Sequence, residues 1–178
     1  NAAVMGAGAV GSVVLKFLYD TYGESIYVAA NGARRERFLK EGLCVNNTVF
    51  LPPILDSRTK VHLDLLIVAL KNYHLEAALD EIADFIDEDT IILPLLNGIS
   101  ATDTLLKRFP RNRVFYGIVM RTDAERLKHK VTYSTAGEIQ LGYRNNTQIS
   151  EEVSSVADYI KKAGINTHIY PDMRKMLW

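Results

Sequence analysis

Three glycines near the start of the chain, Gly6, Gly8 and Gly11, have the spacing of a loop that binds the pyrophosphate of a dinucleotide. The first permits a tight turn, the second lets the backbone approach the phosphates, and the third allows a helix to pack closely on a strand. The helix N-terminus adds N–H groups and a positive dipole end, so the anion needs no charged side chain. The motif predicts a dinucleotide site on the backbone of residues 6–11, which also includes Ala7, Ala9 and Val10.

The residues on either side of the glycine motif supply the context that it requires. Residues 2–5 are apolar and predict a short strand, while Val10, Val14, Phe17 and Leu18 follow at helical spacing. A purely structural glycine turn is the alternative interpretation. It does not account for a strand on one side of the motif and an amphipathic helix on the other.

The end of the second predicted strand indicates which dinucleotide would bind. NAD-specific sites place Asp or Glu about twenty residues after the glycine motif, where the carboxylate accepts a hydrogen bond from the ribose 2′-OH. Ala30 and Asn31 occupy this place, and Arg34 and Arg35 follow, with Arg37 a weaker third. Because arginine presents a planar fork of donors to phosphate, the pattern favours NADP. A solvated basic helix face is the alternative.

Two further polar positions follow directly on buried strands. Lys71 comes after the apolar run 65–70, and Asn97-Gly98 comes after 90–96. The carboxyl ends of parallel strands meet at one edge, so both positions should lie beside the glycine loop. Lysine there can place a positive charge near a cofactor or an anionic substrate, and asparagine can donate to a carbonyl. A strand-terminating charge and an Asn-Gly turn are the structural alternatives.

The overall pattern of strands and helices predicts an α/β fold with a doubly wound, mostly parallel, Rossmann-like sheet. The predicted strands are 2–5, 26–30, 43–50, 65–70, 90–96 and 114–120, and 131–135 and 138–141 are predicted to pair around Ala136-Gly137. Five helices are predicted. The first follows the glycine loop, the second covers 34–40, and the fourth runs from a Ser100 cap to Leu106. The third and fifth are predicted from apolar positions at helical spacing within 75–86 and 149–160.

Composition and charge exclude several classes of function. The 178 residues are 48% hydrophobic, and 21 basic residues balance 21 acidic ones, so no net charge favours nucleic acid or an anionic membrane as a partner. No apolar run reaches the length of a membrane span, and the first residues lack signal-peptide features. We therefore expect a cytoplasmic protein with a small-molecule ligand.

Cysteine and histidine offer no alternative chemistry. The single Cys44 cannot form an internal disulfide and is interpreted as a packed residue. His62, His74, His129 and His168 do not have a metal-ligand spacing, and no Ser/His/Asp arrangement is recognisable, so neither a metal site nor a hydrolase is predicted.

Taken together, these motifs resemble the ketopantoate reductase (2-dehydropantoate 2-reductase) family of NADP-dependent enzymes. The matching pieces are the glycine motif 6–11, the strand ends 68–71 and 95–98, Gly137-Glu138 before an apolar strand, and Met176-Leu177-Trp178. The resemblance implies that Lys71 and Asn97 contact the nicotinamide cofactor and that Asn97 also reaches a 2-oxo acid substrate. It implies a cofactor contact for Thr122 too, although residues 120–123 depart from the usual small and polar pattern.

The family resemblance also implies parts that this sequence does not contain. The general acid of the family is a lysine just after the tryptophan that corresponds to Trp178, and the remaining substrate residues lie in a second, helical domain. We therefore expect a cofactor domain over 1–170, with 171–178 starting a helix that leads into that domain. Uncovered apolar residues near this end predict self-association, for which a homodimer is one form, or a disordered tail.

Two other functions stay open at this point. A related dehydrogenase of the same superfamily could act on another 2-oxo acid or an opine-type substrate, because specificity would reside largely in the second domain. A non-catalytic module that binds NADP(H) is the third interpretation. It would be favoured if no lysine followed Trp178.

Overall fold

The computed structural model describes residues 1–177, so the predicted match at Trp178 lies outside the described residues. Strands and helices follow one another in an α/β order. Along the chain these are β1 (Ala2–Met5), α1 (Ala9–Tyr22), β2 (Ile26–Ala29), α2 (Gly32–Glu41), β3 (Leu43–Val45), β4 (Thr48–Phe50), β5 (Ile54–Leu55), β6 (Leu65–Val68), α3 (Asn72–Phe85), β7 (Ile91–Pro94), α4 (Ser100–Arg108), β8 (Arg113–Val114), β9 (Tyr116–Met120), β10 (Glu125–Leu127), β11 (Lys130–Thr132), β12 (Glu138–Gly142), α5 (Glu151–Lys162), β13 (Asn166–His168) and α6 (Met173–Leu177).

The centre of the fold is a six-stranded sheet in the order β5-β2-β1-β6-β7-β8. Every neighbouring pair in it is parallel. The strand order reverses between β1 and β6, which is where doubly wound sheets bind ligands. The prediction of a mostly parallel, Rossmann-like sheet is therefore confirmed.

Apolar residues cover both faces of this sheet, as its continuous hydrophobic strands require. One face, which includes Val4 and Ile67, packs against α1, α5 and the buried Phe38 of α2. The other face, which includes Met5 and Leu66, packs against α3 and α4. Because successive side chains in a strand point to opposite faces, β1 and β6 contribute to both cores.

The segment 43–50 is a hairpin and not the single strand that its composition predicted. β3 and β4 pair antiparallel, and Asn46 and Asn47 form the turn with φ values of 46° and 62°. Two successive positive φ angles are typical of a tight hairpin turn, and asparagine tolerates this region better than most residues. The apolar character of both arms concealed the Asn-Asn turn signal.

The predicted pairing of 131–135 with 138–141 is wrong. β11 pairs with β10 and β3 in a four-stranded sheet, whereas β12 pairs with β9 and β13 in a three-stranded one. Gly137, at φ +88°, lies against the backbone of Met120, where a Cβ would come within 2.5 Å of the carbonyl oxygen. The chain turns there into a different sheet, so Ala136-Gly137 connects two layers.

Smaller differences occur at element ends. Ile99 and not Ser100 is the N-cap of α4, and Ile149 is exposed before α5, whose cap is Ser150 with its hydroxyl accepting from the Val153 N–H. The predicted strand 114–120 is divided at Phe115 between β8 and β9, and β5 and β13 were not predicted.

Within residues 1–177, no helix combines the length and the apolar character that a membrane crossing requires.

Among the glycine positions, the closest backbone approach joins α1 to the end of β1. A Cβ on Gly11 would lie 1.9 Å from the Gly6 carbonyl oxygen, and a Cβ on Gly6 would lie 2.6 Å from that of Ala69. Gly8, between them, has no atom within 4 Å of its Cβ position. Gly6 and Gly11 are thus required by packing, whereas Gly8 is not.

This difference predicts opposite outcomes for two alanine substitutions. Gly11→Ala should lower the free energy of unfolding by about 2 kcal/mol or more, because backbone atoms must move to admit the methyl group. Gly8→Ala, at a helix N-cap, should cost about 1 kcal/mol or less. Urea denaturation of both variants measures the two values. Equal losses would contradict the packing described for Gly11.

A cluster of acidic groups surrounds His62 at the amino edge of the sheet, opposite the glycine loop. Its Nδ1 lies 2.6 Å from Asp87 Oδ2, and its Nε2 lies 3.7 Å from Asp64 Oδ1. The hydrogen bond and the negative charge of Asp87 raise the pKa of His62 above its ordinary value. The charged imidazole is therefore favoured in the folded state.

We expect the small stability contribution of this pair to depend on pH. It is fully present below the unfolded pKa of histidine, about 6.5, and is lost as the pH rises through the higher folded pKa. Asp87→Asn should move the folded pKa of His62 back down, as an NMR titration of the imidazole protons would measure. An unchanged pKa in that variant would show that Asp87 is not its cause.

Candidate functional site

The glycine loop forms an open cradle at the N-terminus of α1. Gly6 turns the chain with φ +100°, and Gly8 is the N-cap, with no side chain capping it. The first turn of α1 also contains no acidic residue. Unpaired N–H groups, a positive dipole end and free space beside Gly8 fit a pyrophosphate, and a Cβ at Gly8 would occupy that space.

Main-chain hydrogen bonds align the ends of β1, β6 and β7 at this edge. The Ala69 N–H donates to the Met5 carbonyl at 2.8 Å, and the Leu95 N–H donates to the Val68 carbonyl at 2.8 Å. The chain segments that leave β6 and β7 therefore start beside the glycine loop. This places Lys71 beside the topological switch point and Asn97 one strand further along the same edge.

Lys71 and Asn97 lie on neighbouring, connected loops. Lys71 is exposed at the N-cap of α3, with its Nζ 5.9 Å from the centre of the Tyr73 ring. Asn97 is exposed, and its carbonyl accepts a hydrogen bond of 3.0 Å from Asn72 Nδ2. Gly98 turns the following chain at φ +83°. The structure thus places an exposed lysine and an exposed asparagine on two loops that a hydrogen bond connects.

Asn31 lies at the end of β2, as predicted, but its side chain is engaged within the protein. Its Oδ1 accepts from the Ser57 N–H at 2.9 Å, and its Nδ2 donates to Glu81 Oε1 at 3.1 Å. The side chain joins α2 to the loop after β5 and to α3. Asn31 therefore shapes the wall of the site at this position.

The arginines predicted to bind phosphate take part in ion pairs. Arg34 Nη2 lies 2.6 Å from Glu81 Oε2. Arg35 Nη1 lies 2.8 Å from Glu36 Oε1, and Arg35 Nε lies 2.9 Å from Asp56 Oδ2. The last contact has ion-pair distance without hydrogen-bond geometry, because Arg35 Nε makes no hydrogen bond. Both guanidinium groups are thus already paired with carboxylates.

The sequence did not reveal the two carboxylates Glu81 and Asp56. Glu81 reaches Arg34 across 47 residues of chain, and Asp56 follows a strand of only two residues. Asp56 is buried, and hydrogen bonds from Arg58 hold its pKa well below the usual range. Asp56 therefore stays ionised at the edge of the site.

Thr122 lies just after β9 and is held by its own loop. Its hydroxyl donates to the Thr135 carbonyl at 3.1 Å and accepts from the Ala124 N–H at 3.2 Å. A few residues further on, Arg126 Nη1 donates to the Ala7 carbonyl at 3.1 Å. This contact brings the segment after Thr122 to the glycine loop, and the sequence did not indicate it.

A wider cleft lies at the opposite, amino edge of the sheet. It has a volume of about 640 Å³ and is lined by apolar residues together with Asp64, Glu151 and Glu152. This cleft lies at the amino ends of the strands, whereas doubly wound sheets bind their ligands outside the carboxyl ends. Among residues 1–177, no group of three or more His, Cys, Asp or Glu side chains could hold a metal ion. The carboxyl edge is therefore the candidate site.

Known proteins share both the sequence pattern and the fold of this chain. The family "Ketopantoate reductase PanE/ApbA" matches residues 2–146. A 2-dehydropantoate 2-reductase from Lactococcus lactis is 29% identical over 92% of this chain and 54% of its own length. A 2-dehydropantoate 2-reductase structure from Methylococcus capsulatus has TM-score 0.84 at 22% identity, over 100% of this chain and 59% of that one.

A further structure of the same fold is a D-mandelate dehydrogenase with NADH and anilino(oxo)acetate. It has TM-score 0.78 at 27% identity and is matched over 96% of this chain and 57% of its own. The chain thus spans a little over half the length of these relatives. Because the family match covers most of the described residues, the chain belongs to the ketopantoate reductase family of oxidoreductases.

Proposed function

We propose that this chain binds NADP(H) at the carboxyl edge of its sheet and forms the cofactor-binding part of a 2-oxo acid reductase. The single observation that carries this proposal is the free space at Gly8 before an uncapped helix N-terminus. Lys71 and Asn97 project from the two neighbouring strand ends. The first substrate to test is 2-dehydropantoate, whose reduction yields pantoate for pantothenate biosynthesis.

Each polar group at this edge has a role that its chemistry allows. When bound, the cofactor supplies a hydride from its nicotinamide C4 to the ketone carbon. The Asn97 amide can donate to the ketone oxygen and so orient it, and Lys71 can attract anionic groups of cofactor or substrate. The family resemblance implies that the proton donor is a lysine just after Trp178. Thr122 would border the cofactor from the loop after β9.

Preference for NADP(H) is supported by the residues at the end of β2. No carboxylate follows this strand directly, since Ala30 and Asn31 come first. Four arginines lie on α2 and β10, of which Arg34 and Arg35 were the predicted phosphate ligands. Arg34 and Arg35 are paired with carboxylates, so each would bind the 2′-phosphate by exchanging its carboxylate partner for it.

A second substrate class is favoured by one of the structural relatives. The D-mandelate dehydrogenase is named with NADH and anilino(oxo)acetate, an amide of oxalate whose carbonyl beside the carboxylate resembles that of a 2-oxo acid. This chain could therefore belong to an enzyme that reduces another 2-oxo acid. The cradle, Lys71 and Asn97 would act in the same way in either case.

Cofactor binding by the chain tests the proposed site. We expect NADPH to bind more tightly than NADH in isothermal calorimetry, and Gly8→Ala to weaken both at least about tenfold, because its methyl group would occupy the pyrophosphate space. Urea denaturation shows whether this variant keeps its fold. Undiminished binding by Gly8→Ala would contradict the cradle, and equal affinities for the two cofactors would contradict the NADP preference.

Substrate choice requires the full-length protein. With NADPH, we expect the highest kcat/KM for 2-dehydropantoate among a panel of 2-oxo acids that includes aromatic ones. Asn97→Ala should lower kcat/KM at least about tenfold, through loss of a hydrogen bond to the ketone oxygen. A higher value for an aromatic 2-oxo acid would select the second substrate class. An unaffected Asn97→Ala would remove this residue from the site.

A further inference from the structure

The hairpin of β10 and β11 lies against the glycine loop, and one of its side chains holds that loop. Arg126 Nη1 donates to the Ala7 carbonyl at 3.1 Å, and Arg126 Nε donates to the Lys128 carbonyl at 2.9 Å. The guanidinium thus joins the turn of the hairpin to the turn before α1. Ala7 and Arg126 lie 119 residues apart in the chain, so the fold and not local sequence brings them together.

The helix that begins at the glycine loop also supports this hairpin. β10 pairs with β11, β11 pairs with β3, and the Asn46 N–H donates to the Val131 carbonyl at 2.9 Å. Val13 of α1, Val45 of β3 and Val131 of β11 are buried together in one apolar cluster. Packing therefore fixes the position of the Arg126 backbone relative to α1.

The space between the hairpin and the glycine loop admits no ligand larger than water. The cleft there, whose lining includes Ala7, Ser12, Arg126 and His129, has a volume of only about 10 Å³. This is about the least space that one water molecule requires. Arg126 therefore contacts the glycine loop on this side, and not a bound molecule.

The stability of the fold does not account for an arginine at this position. Arg126 forms no ion pair with any residue from 1 to 177, and the partners of its two hydrogen bonds are neutral carbonyls. Partial burial and the positive charge of Arg37 lower the pKa of Arg126. Desolvation and like-charge repulsion both cost free energy. Groups perturbed in this way are concentrated at functional sites.

The hydrogen bond from Arg126 restricts the peptide unit between Ala7 and Gly8. This peptide is trans, so the Ala7 carbonyl and the Gly8 N–H lie in one plane and point in opposite directions. A donor that holds the carbonyl therefore turns the N–H away from the hairpin. Glycine is the residue with the least restricted backbone, and no atom lies within 4 Å of the Gly8 Cβ position. An external contact is thus needed to fix this N–H.

We propose that Arg126 is a positioning residue for the pyrophosphate, because it holds the Ala7 carbonyl and so presents the Gly8 N–H to the phosphate oxygens. This inference rests on the proposed function, which supplies the dinucleotide. A guanidinium at the carbonyl oxygen also polarises the peptide, which makes its N–H a stronger donor. Arg126 should therefore favour every ligand with a pyrophosphate, whether or not it has a 2′-phosphate.

Four ligands separate this role from the alternatives. NADPH, NADH and ADP contain a pyrophosphate, whereas adenosine 2′-monophosphate does not. Each is titrated by calorimetry into the wild type, Arg126→Met and Arg126→Lys, which keeps the charge but not the fork of donors. The matched control is Arg37→Met, which removes the neighbouring positive charge and leaves the Arg126–Ala7 contact in place. Thermal unfolding checks that each variant is folded.

We expect Arg126→Met to weaken NADPH, NADH and ADP about tenfold and adenosine 2′-monophosphate less than about twofold. Arg37→Met should weaken NADH and ADP less than about threefold, and Arg126→Lys should lie between the wild type and Arg126→Met. If Arg126→Met does not fold, the losses in Arg126→Lys decide.

NMR reports on the peptide itself. The Gly8 nitrogen is bonded to the Ala7 carbonyl carbon, so its ¹⁵N resonance responds to a hydrogen bond at that carbonyl. We expect this resonance to shift in Arg126→Met without ligand and to stay in place in Arg37→Met. An unshifted Gly8 resonance in Arg126→Met would contradict the proposed positioning.

The pattern of affinities can overturn the inference in four ways. Unchanged NADH and ADP affinities in Arg126→Met would remove this residue from the site. Equal losses for all four ligands would show that it only supports the fold. Losses confined to NADPH and adenosine 2′-monophosphate would instead indicate direct contact with the 2′-phosphate. Binding of none of the ligands by the wild type would contradict the proposed function, and this inference with it.

Discussion

The close approach of three backbone segments is the constraint on which the rest of the structure depends. The glycine turn is enclosed between α1 and the end of β6, with the Cβ positions of Gly6 and Gly11 only 2.6 Å and 1.9 Å from carbonyl oxygens. No side chain fits at either place. This packing points the N-terminus of α1 at the carboxyl edge, and the hydrogen bonds of β1, β6 and β7 then place the neighbouring loops beside it.

Both the backbone and the side chains contribute positive electrostatic potential to this site. The uncapped α1 N-terminus provides a positive end without a charged residue, and Gly8 leaves room before it. Side-chain cations lie further out, where the ion pairs of Arg34 and Arg35 are part of the scaffold. The number of arginines near the site is therefore a poor guide to ligand binding. A cation already paired with a carboxylate gains less electrostatic stabilisation from an added phosphate than an unpaired one does.

Local signals in the sequence were enough for the central sheet and the glycine loop. Apolar runs and the GxGxxG spacing depend on residues close together in the chain, and the predicted strands β1, β2, β6 and β7 do form the centre of the parallel sheet. Pairing between distant segments was not predictable in this way. The β11–β3 contact, the Glu81–Arg34 ion pair and the Arg126–Ala7 hydrogen bond each join residues far apart in sequence. The predicted 131–141 hairpin was wrong for the same reason, because Gly137 directs the chain to another sheet.

The most direct test of the central claim is a crystal structure of this chain with NADP⁺. The account predicts electron density for the pyrophosphate beside Gly8 at the N-terminus of α1, with the nicotinamide ring towards Lys71 and Asn97. Density for the nucleotide in the cleft lined by Asp64, Glu151 and Glu152 at the amino edge would contradict it.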